Sequence, residues 1–547
     1  MSSTLTSSAA SSAATPSAGA APRTYGNWRR PTSPGLPRLG LLGTAAALSS
    51  LVLVMFVQIS AGLLPAAVVA TLCVAGVAPL AWRNRAGRNG WQVLLAKAAW
   101  RLGRRRRQHL YRSALVSPIA FGATRLPGLL ASTRLLRAVT AHGEQFALIA
   151  LPSTRHYAVL IRCDPEGSQL VDVETVDEWV ASWGGWLASL GHEASLEACT
   201  VTIETAPDPG SRLAAEVDSL LTADAPALSR AVLTEAAASY PRGSAAVTAY
   251  VTLTFTARTR AHREAEGLLG ATYGKTKGRS KNVAGTAASV RVRSEQEMAA
   301  QIGRRLPLLL HQLRTAGAGT GRAMTAAEVI QTVRVAYDPG CAPLLDRASA
   351  AQDQQHGPAG LVDWASAGPA GQVEAWDHLR HDSGASITWQ MVDPPHGAVT
   401  CRVLEQLLEA HDSLARKRVT LIYRPHDPAS AAQVADADVR TAIGRATARP
   451  GESRAAETLA LTAARQAAAE QAAGAGLVRF SLLVTATVTD PAQLGQAGEL
   501  IDQLGPACQL RLRRCYGSQA AAFTAALGVG VVLPHHVAVP DLVRDNL

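Results

Sequence analysis

Two apolar stretches near the start of the chain, Leu39–Ile59 and Leu63–Trp82, stand apart from everything that follows. Each runs for about twenty residues without Asp, Glu, Lys or Arg. At ~1.5 Å per residue a helix of that length spans roughly 30 Å, the thickness of a bilayer's hydrocarbon core. Ser60, Ala61 and Gly62 separate the two runs, and Pro65 falls in the first turn of the second, where no helical amide is lost. The pattern predicts a transmembrane helical hairpin. A cleaved signal peptide fits poorly, because the first run begins near residue 40, is too long, and is followed at once by a second.

Further along, the periodicity becomes that of a folded domain. Phe146–Leu151 and Tyr157–Arg162 read as short strands, closed by the turn Asp164-Pro165-Glu166-Gly167. Thr175, with Glu178 three residues on, predicts a helix start, and Gly191 its stop. Val176, Trp179, Val180, Trp183, Leu187 and Leu190 line one face of that helix, so Trp179, Trp183 and Trp186 read as core packing before docking surface. A strand at Thr200–Thr205 and Ala-rich helices to about Ser239 follow. Val247–Phe255 then alternates, with Val247, Ala249, Val251, Leu253 and Phe255 on one side and three Thr with Tyr250 on the other, a strand with one more polar face. A long helix is expected over about Ser294–Thr315.

The same order then recurs. A helix near Thr400–Leu414 precedes the strand Val419–Tyr423, more Ala-rich helices and the strand Leu477–Val488. A last helix is capped by Asp490, opened by Pro491 and closed by Gly505. At an offset of 219, Ile203 meets Ile422, Asp208-Pro209 meets Asp427-Pro428 and Ser211 meets Ser430, while Ala206 falls opposite Pro425. The expectation is an α+β protein: a transmembrane hairpin followed by two related cytoplasmic α+β units with small, mostly antiparallel sheets. The boundaries read as a disordered tail (1–24), the hairpin with basic flanks (25–89), a basic juxtamembrane segment (90–143), a first unit (144–345), a linker or excursion (346–372) and a second unit (373–547).

Charge gives this plan a direction. The net charge is +11, yet residues 1–143 hold 17 basic side chains (16 Arg, 1 Lys) and no acidic one, so the remainder is net acidic. Basic residues flank the hairpin on both outer sides, among them Arg29, Arg30, Arg83, Arg85 and Arg104, Arg105, Arg106 and Arg107, and none lies in its turn. That asymmetry predicts both termini and the C-terminal bulk on the cytoplasmic side of the cell membrane. Trp28, Trp82 and Trp91 suit the interface. The polybasic segment reads first as a partner for an anionic leaflet, at about 1 kcal/mol per charge near the surface, with nucleic acid the alternative. Trp91, Leu94, Leu95, Ala98 and Leu102 fall at helical spacing, as in a helix lying on a membrane. Seven scattered cysteines without a Cys-x-x-Cys pair read as reduced packing residues.

Candidate chemistry is sparse. Gly270-Ala271-Thr272-Tyr273-Gly274-Lys275-Thr276 approaches a phosphate-binding loop but has three residues, not four, before Gly-Lys-Thr, and no apolar strand leads into it. Gly317–Gly321 follows a helix and reads as a flexible stop. Trp376, His378, His381 and Asp382 form a dense polar cluster, expected to contact a partner or make structural hydrogen bonds before binding a metal. His535-His536 is a weaker pair. No catalytic residue, metal site or cofactor is expected.

Tyr25-Gly26-Asn27-Trp28-Arg29-Arg30-Pro31, the double span, Val335-Ala336-Tyr337-Asp338-Pro339, Trp376–Asp382 and Arg418–Pro425 resemble an actinobacterial family of EccE-like membrane proteins of type VII secretion. Leu510-Arg511-Leu512-Arg513-Arg514-Cys515-Tyr516, with Gln519 and Phe523, is similar to the close of the non-motor half of VirB-type conjugation ATPases. In those a motor domain follows; here the sequence ends at Leu547. The resemblance implies a non-enzymatic structural component of a type VII-like or type IV-like apparatus, docking other subunits and a separate motor ATPase. A membrane-tethered nucleotide hydrolase using Gly270–Thr276 and a membrane-tethered DNA-binding adaptor are the alternatives.

Overall fold

A computed structural model of the protein describes residues 23–28, 40–82, 84, 87–113, 125–165, 167, 170–193, 195–208, 211–222, 224–239, 245–258, 292–346, 348, 363–395, 397–447 and 455–537. Helices α1 (Gly40–Ala61) and α2 (Leu63–Ala81) form the expected hairpin, turned at Gly62 with φ 89°. Helix α3 (Gly90–Arg105) leads to β1 (Leu110–Arg112). A first half then runs β2 (Arg134–Val139), β3 (Gln145–Leu151), β4 (His156–Asp164), α4 (Val173–Leu190), β5 (Leu196–Pro207), α5 (Ser211–Leu220), α6 (Ala227–Ser239), β6 (Ala245–Thr256), α7 (Glu295–Leu313), β7 (Thr320–Ala323) and α8 (Ala326–Tyr337). The second half repeats that order: β8 (Gly371–Glu374), β9 (Leu379–His381), β10 (Gly384–Asp393), α9 (Glu405–Leu408), β11 (Arg416–Pro425), α10 (Pro428–Thr447), α11 (Ala455–Ala472), β12 (Val478–Val488), α12 (Leu494–Ala507), β13 (Arg511–Arg514) and α13 (Gln519–Ala526).

The repeat extends to pairing. The halves are ordered β2-β3-β4-β6-β5 and β8-β9-β10-β12-β11, and β7 and β13 pair with β4 and β10 respectively. β3 and β7 share one edge of β4 end to end, as β9 and β13 share one edge of β10. The α+β reading with antiparallel pairing holds, but the sheets of the two halves are continuous: β5 pairs with β11, making one 13-stranded antiparallel sheet. A half on its own would leave the long strand β5 or β11 as an open edge, and the seam removes both edges at once.

The residue correspondence at offset 219 does not survive the register. Ile203 lies opposite Val419, and Ile422 opposite Thr200. Directly opposed residues share a face and neighbours alternate, so Ile203 and Ile422 point to opposite faces. The repeat is one of element order and pairing. Three helix boundaries also move. α4 starts at Val173 behind Asp172, with no capping box at Thr175. The expected helix over 400–414 shrinks to one turn, with only Leu407 and Leu414 of its stretch firmly buried. α12 runs past Gly505 to Ala507. Ser294 caps α7 through a box with Glu297, as expected.

One face of the sheet packs α4, α7 and α12. Trp186 and Leu190 of α4 and Met298, Ile302, Leu306 and Leu309 of α7 meet Val159, Val251 and Leu253, while Ala497 and Ile501 of α12 meet Trp389, Leu482 and Val484. Trp186 is core, and the half-buried Trp183 lies against it at 4.8 Å between ring centroids. The opposite face carries α8, α13 and Trp364 of the expected linker, which is therefore partly core; residues 349–362 of that segment lie outside the described set.

This second face explains the polar side of β6. Thr200, Thr202, Thr252, Thr254, Thr420, Thr485 and Thr487 are all buried there. They face the C-terminal end of α13, whose last carbonyls have no intrahelical partner. Thr420 Oγ1 donates to Ala526 O at 2.7 Å, Tyr250 Oη to Leu527 O at 2.8 Å and Thr252 Oγ1 to Gly528 O at 2.5 Å. Gly528 (φ 63°) and Gly530 (φ 85°) let the chain turn flat on the sheet; a Cβ at Gly530 would lie 2.3 Å from Ala158 Cβ.

At the seam on the same face, Glu204 of β5 accepts from Arg416 and Arg418 of β11, and Arg418 is 3% exposed in its side chain. Burial alone would raise the Glu204 carboxyl, but the Arg418 and Arg416 guanidinium groups outweigh it and hold it below the usual range. Glu204→Gln strands a buried guanidinium and is expected to cost roughly 3–5 kcal/mol, read as a lowered unfolding midpoint of the detergent-solubilised chain. Replacing the exposed Glu144, by comparison, leaves the midpoint unchanged.

Candidate membrane interface

α1 and α2 expose their apolar side chains almost throughout: Ile59 is 80% and Leu64 84% exposed. Such surfaces are not tolerated in water and are what a bilayer covers. Both helices are long and apolar enough to cross a membrane.

α3 begins beside the end of α2. Asn89 caps it, accepting from Gln92 N at 2.8 Å, while Gln92 Oε1 accepts from Asn89 N at 3.2 Å. Trp91 Nε1 donates to Gly76 O at 2.8 Å, one turn back from the α2 terminus. The helix has three sides. Gln92, Val93, Ala96, Trp100 and Gly103 are half-buried. Trp91, Leu94, Leu95, Ala98 and Leu102 form an exposed apolar stripe. Lys97, Arg101 and Arg104 run beside that stripe, all exposed. An apolar stripe flanked by cations, continuous with a membrane span, is the arrangement of an interfacial helix. Arg104 and Arg105 close its last turn, and Arg106 and Arg107 follow, all exposed.

The N-terminal flank returns to the same body. Tyr25 and Val399 exchange backbone hydrogen bonds at 2.8 Å each, Tyr25 Oη donates to Asp177 Oδ1 at 2.8 Å, and Asn27 Nδ2 donates to Ala463 O at 3.1 Å. Burial first, and then the Asp177 contact, push the Tyr25 hydroxyl up to about 12. Tyr25 and Asn27 thus strap α4 of one half to α11 of the other. On the other flank, β1 pairs with β8 and Trp100 packs edge-on against Trp376 at 5.8 Å. The chain before the hairpin and the chain after it both rest on the sheet body. Trp28 is half-buried; Arg29, Arg30, Arg83 and Arg85 fall outside the described residues, as does Gly270–Thr276.

The polar cluster near residue 380 turns inward. Trp376 sits between Trp100 and Tyr516, the latter stacked at 6.1 Å. His378 contacts Asp377 at 2.9 Å. His381 is 2% exposed, with Nδ1 2.6 Å from Tyr337 O and Nε2 2.7 Å from Ser386 Oγ. A carbonyl only accepts, so Nδ1 carries the proton and Nε2 accepts from Ser386. Asp382 Oδ1 accepts from Ala370 N and Gly371 N, and Oδ2 lies 3.1 Å from Arg334, which also pairs with Asp338 at 2.7 Å. His381, buried and bonded at both nitrogens, is not available to a partner or a metal, and the Asp382 carboxylate is engaged by Arg334 and two backbone amides. These residues join α8 of the first half to the β9–β10 turn of the second. Tyr337, His381, Arg418 and Phe523, drawn from motifs far apart in sequence, meet there, with Phe523 5.1 Å from both Tyr337 and His381 and the Arg418 guanidinium 5.8 Å from its ring.

A different polar group goes unmarked by sequence spacing. His156, Glu197 and His535 converge, with candidate ligand atoms all within 4.8 Å of one another. They are brought together from the start of β4, an irregular point of β5 and the chain after α13, and no local pattern links them.

Burial holds the His381 imidazole down at about 4. Its unfolded value is near 6.5, so the unfolded chain takes up a proton that the folded one refuses. The His381 contribution is complete above pH 6.5 and is lost as pH falls toward 4, by roughly 3 kcal/mol in all. Denaturant titrations across that range are expected to show stability falling with pH, and His381→Gln to flatten the dependence.

Residues 32–92, which cover the hairpin and the start of α3, match the family model described as Domain of unknown function (DUF8461). Among curated proteins, none matches the chain.

Proposed function

We propose that the protein is a membrane-anchored, non-catalytic structural component of a bacterial secretion or conjugation apparatus, its sheet body cytoplasmic, docking other subunits including a separate motor ATPase. The orientation rests on the arginines that flank the hairpin on its outer sides and are missing from its turn. The α3 stripe and its cations suit an anionic leaflet. The resemblance of Tyr25–Pro31, Val335–Pro339 and Trp376–Asp382 to EccE-like proteins, and of Leu510–Tyr516 to the non-motor half of conjugation ATPases, supplies the kind of machine.

The observation that carries the docking reading is the arm α5–α6. β5 and β11 are adjacent and antiparallel, so the arms that follow them leave opposite ends of the sheet. α10–α11 lies at the end where Asn27 docks; α5–α6 leaves the end away from it. α6 is a 13-residue helix with no buried residue, and Leu228 is 77% and Val232 56% exposed. A helix of that length is marginal in water without a packing partner. Ala227, Arg230, Ala231, Thr234, Glu235 and Ala238, all exposed, make up one face of it. An arm of this kind, held away from the lipid, is where a further subunit would pack.

Three measurements test the reading. Cys401, the exposed cysteine, is expected to react with a membrane-impermeant maleimide only after spheroplasts are opened, and a cysteine introduced by Ala61→Cys to react from outside; the reverse pattern puts the body on the wrong side. Extracted from its own membranes in mild detergent, the chain should migrate within a large complex, and the Leu228→Asp, Val232→Asp double variant as an isolated chain with an unchanged unfolding midpoint. ATP turnover by the purified chain, abolished by Lys275→Ala, would overturn the non-catalytic reading.

A further inference from the structure

The group formed by His156, Glu197 and His535 lies apart from the membrane interface and from the α5–α6 arm. His156 opens β4 and is 4% exposed, and its Nδ1 is buried with no hydrogen-bond partner among the described residues. A core imidazole satisfied by its surroundings, as His381 is, does not leave a buried nitrogen unused. Its ring lies edge-on to that of His535, 5.0 Å between centroids. His535 Nε2 is 2.7 Å from Glu197 Oε1.

Glu197 reaches this place through a flaw in the ladder. β5 pairs with β6 at Leu196↔Phe255 and then at Ala198↔Thr254, so Glu197 is the extra residue of a β-bulge. A bulge takes its residue out of the regular alternation and re-aims its side chain, here toward His535. The third contributor comes from the turn Leu533–His536, which is opened by Leu533-Pro534 and placed by the flat course of the chain after Gly528 and Gly530. Three unrelated segments are thus each bent to one point.

Two imidazoles and one carboxylate are a borderline N/O donor set, suited to Zn2+ and poorly suited to Mg2+ or Ca2+, which prefer all-oxygen shells. We propose that His156, Glu197 and His535 form a Zn2+ site with three protein ligands and a position open to water on the exposed side of His535. The 2.7 Å contact between His535 and Glu197 opens slightly to admit the ion between them. Arg258 lies close enough to His156 to oppose a cation there, and the Glu197 carboxylate offsets it. The bound ion would fasten the segment after α13 to the ends of β4 and β5, so the carbonyls of α13 would be held over the threonine face from both sides.

The test uses the full-length chain in detergent, purified without a metal-affinity tag, loaded with ZnCl2 and dialysed. Elemental analysis is expected to find about one zinc per chain, with affinity lowered at least roughly tenfold in Glu197→Gln and in His535→Ala. His378→Ala serves as control and should retain the metal. Zn2+ should raise the unfolding midpoint of the native chain and leave that of both ligand variants where EDTA leaves it. Failure of the native chain to hold zinc, or equal retention by all three variants, overturns the site. Equal midpoints of native chain and variants in EDTA establish that any loss of zinc is not a loss of fold.

Discussion

The pairing of β5 with β11 is the contact on which the rest of the protein rests. Each half has the same order of strands, and each would by itself end in a long unpaired edge; joined, they form one sheet with helices packed on both faces. Because the seam is central, the groups across it are deeply buried and must be chosen with care. On one face it is sealed by apolar residues, Val201 against Leu421. On the other it carries Glu204 between two arginines, a geometry in which neither charge is left without its opposite. The helix end laid over that face would otherwise bury bare carbonyls, and threonines supply the missing donors.

How much of this the sequence disclosed depends on the range of the interaction concerned. The hairpin was legible because a span needs only length and an absence of charge, both of which are local. The strands were legible from alternation, and the start of α7 from Ser294 and Glu297. The threonine side of β6 was read as the more polar face, and alternation alone does not say whether such a face meets solvent or a helix end; that depends on α13, more than 260 residues away. The seam is likewise non-local, and the offset that aligned Ile203 with Ile422 broke the two-residue period that opposed strands impose.

The polar cluster at Trp376–Asp382 shows the same limit from the other side. Read locally, its charges and aromatics suggested a surface offered to a partner. In the fold Trp376 packs between Trp100 and Tyr516, the His381 imidazole bonds the Tyr337 carbonyl and the Asp382 carboxylate pairs with Arg334. His156, Glu197 and His535 were missed for the opposite reason: each is unremarkable in its own stretch. The local hint that existed was His535 after a proline in an otherwise apolar tail, and it did not point to either of its companions.

The antiparallel seam also fixes how the two equivalent arms are used. Related by an approximate half-turn, they are aimed in opposite directions, so whatever brings one toward the lipid must carry the other away from it. The N-terminal strap occupies the near arm through Asn27 and Ala463, and among the described residues no such contact reaches the far one. Two copies of one design have thereby become a polar object, with a tethered end and a free end.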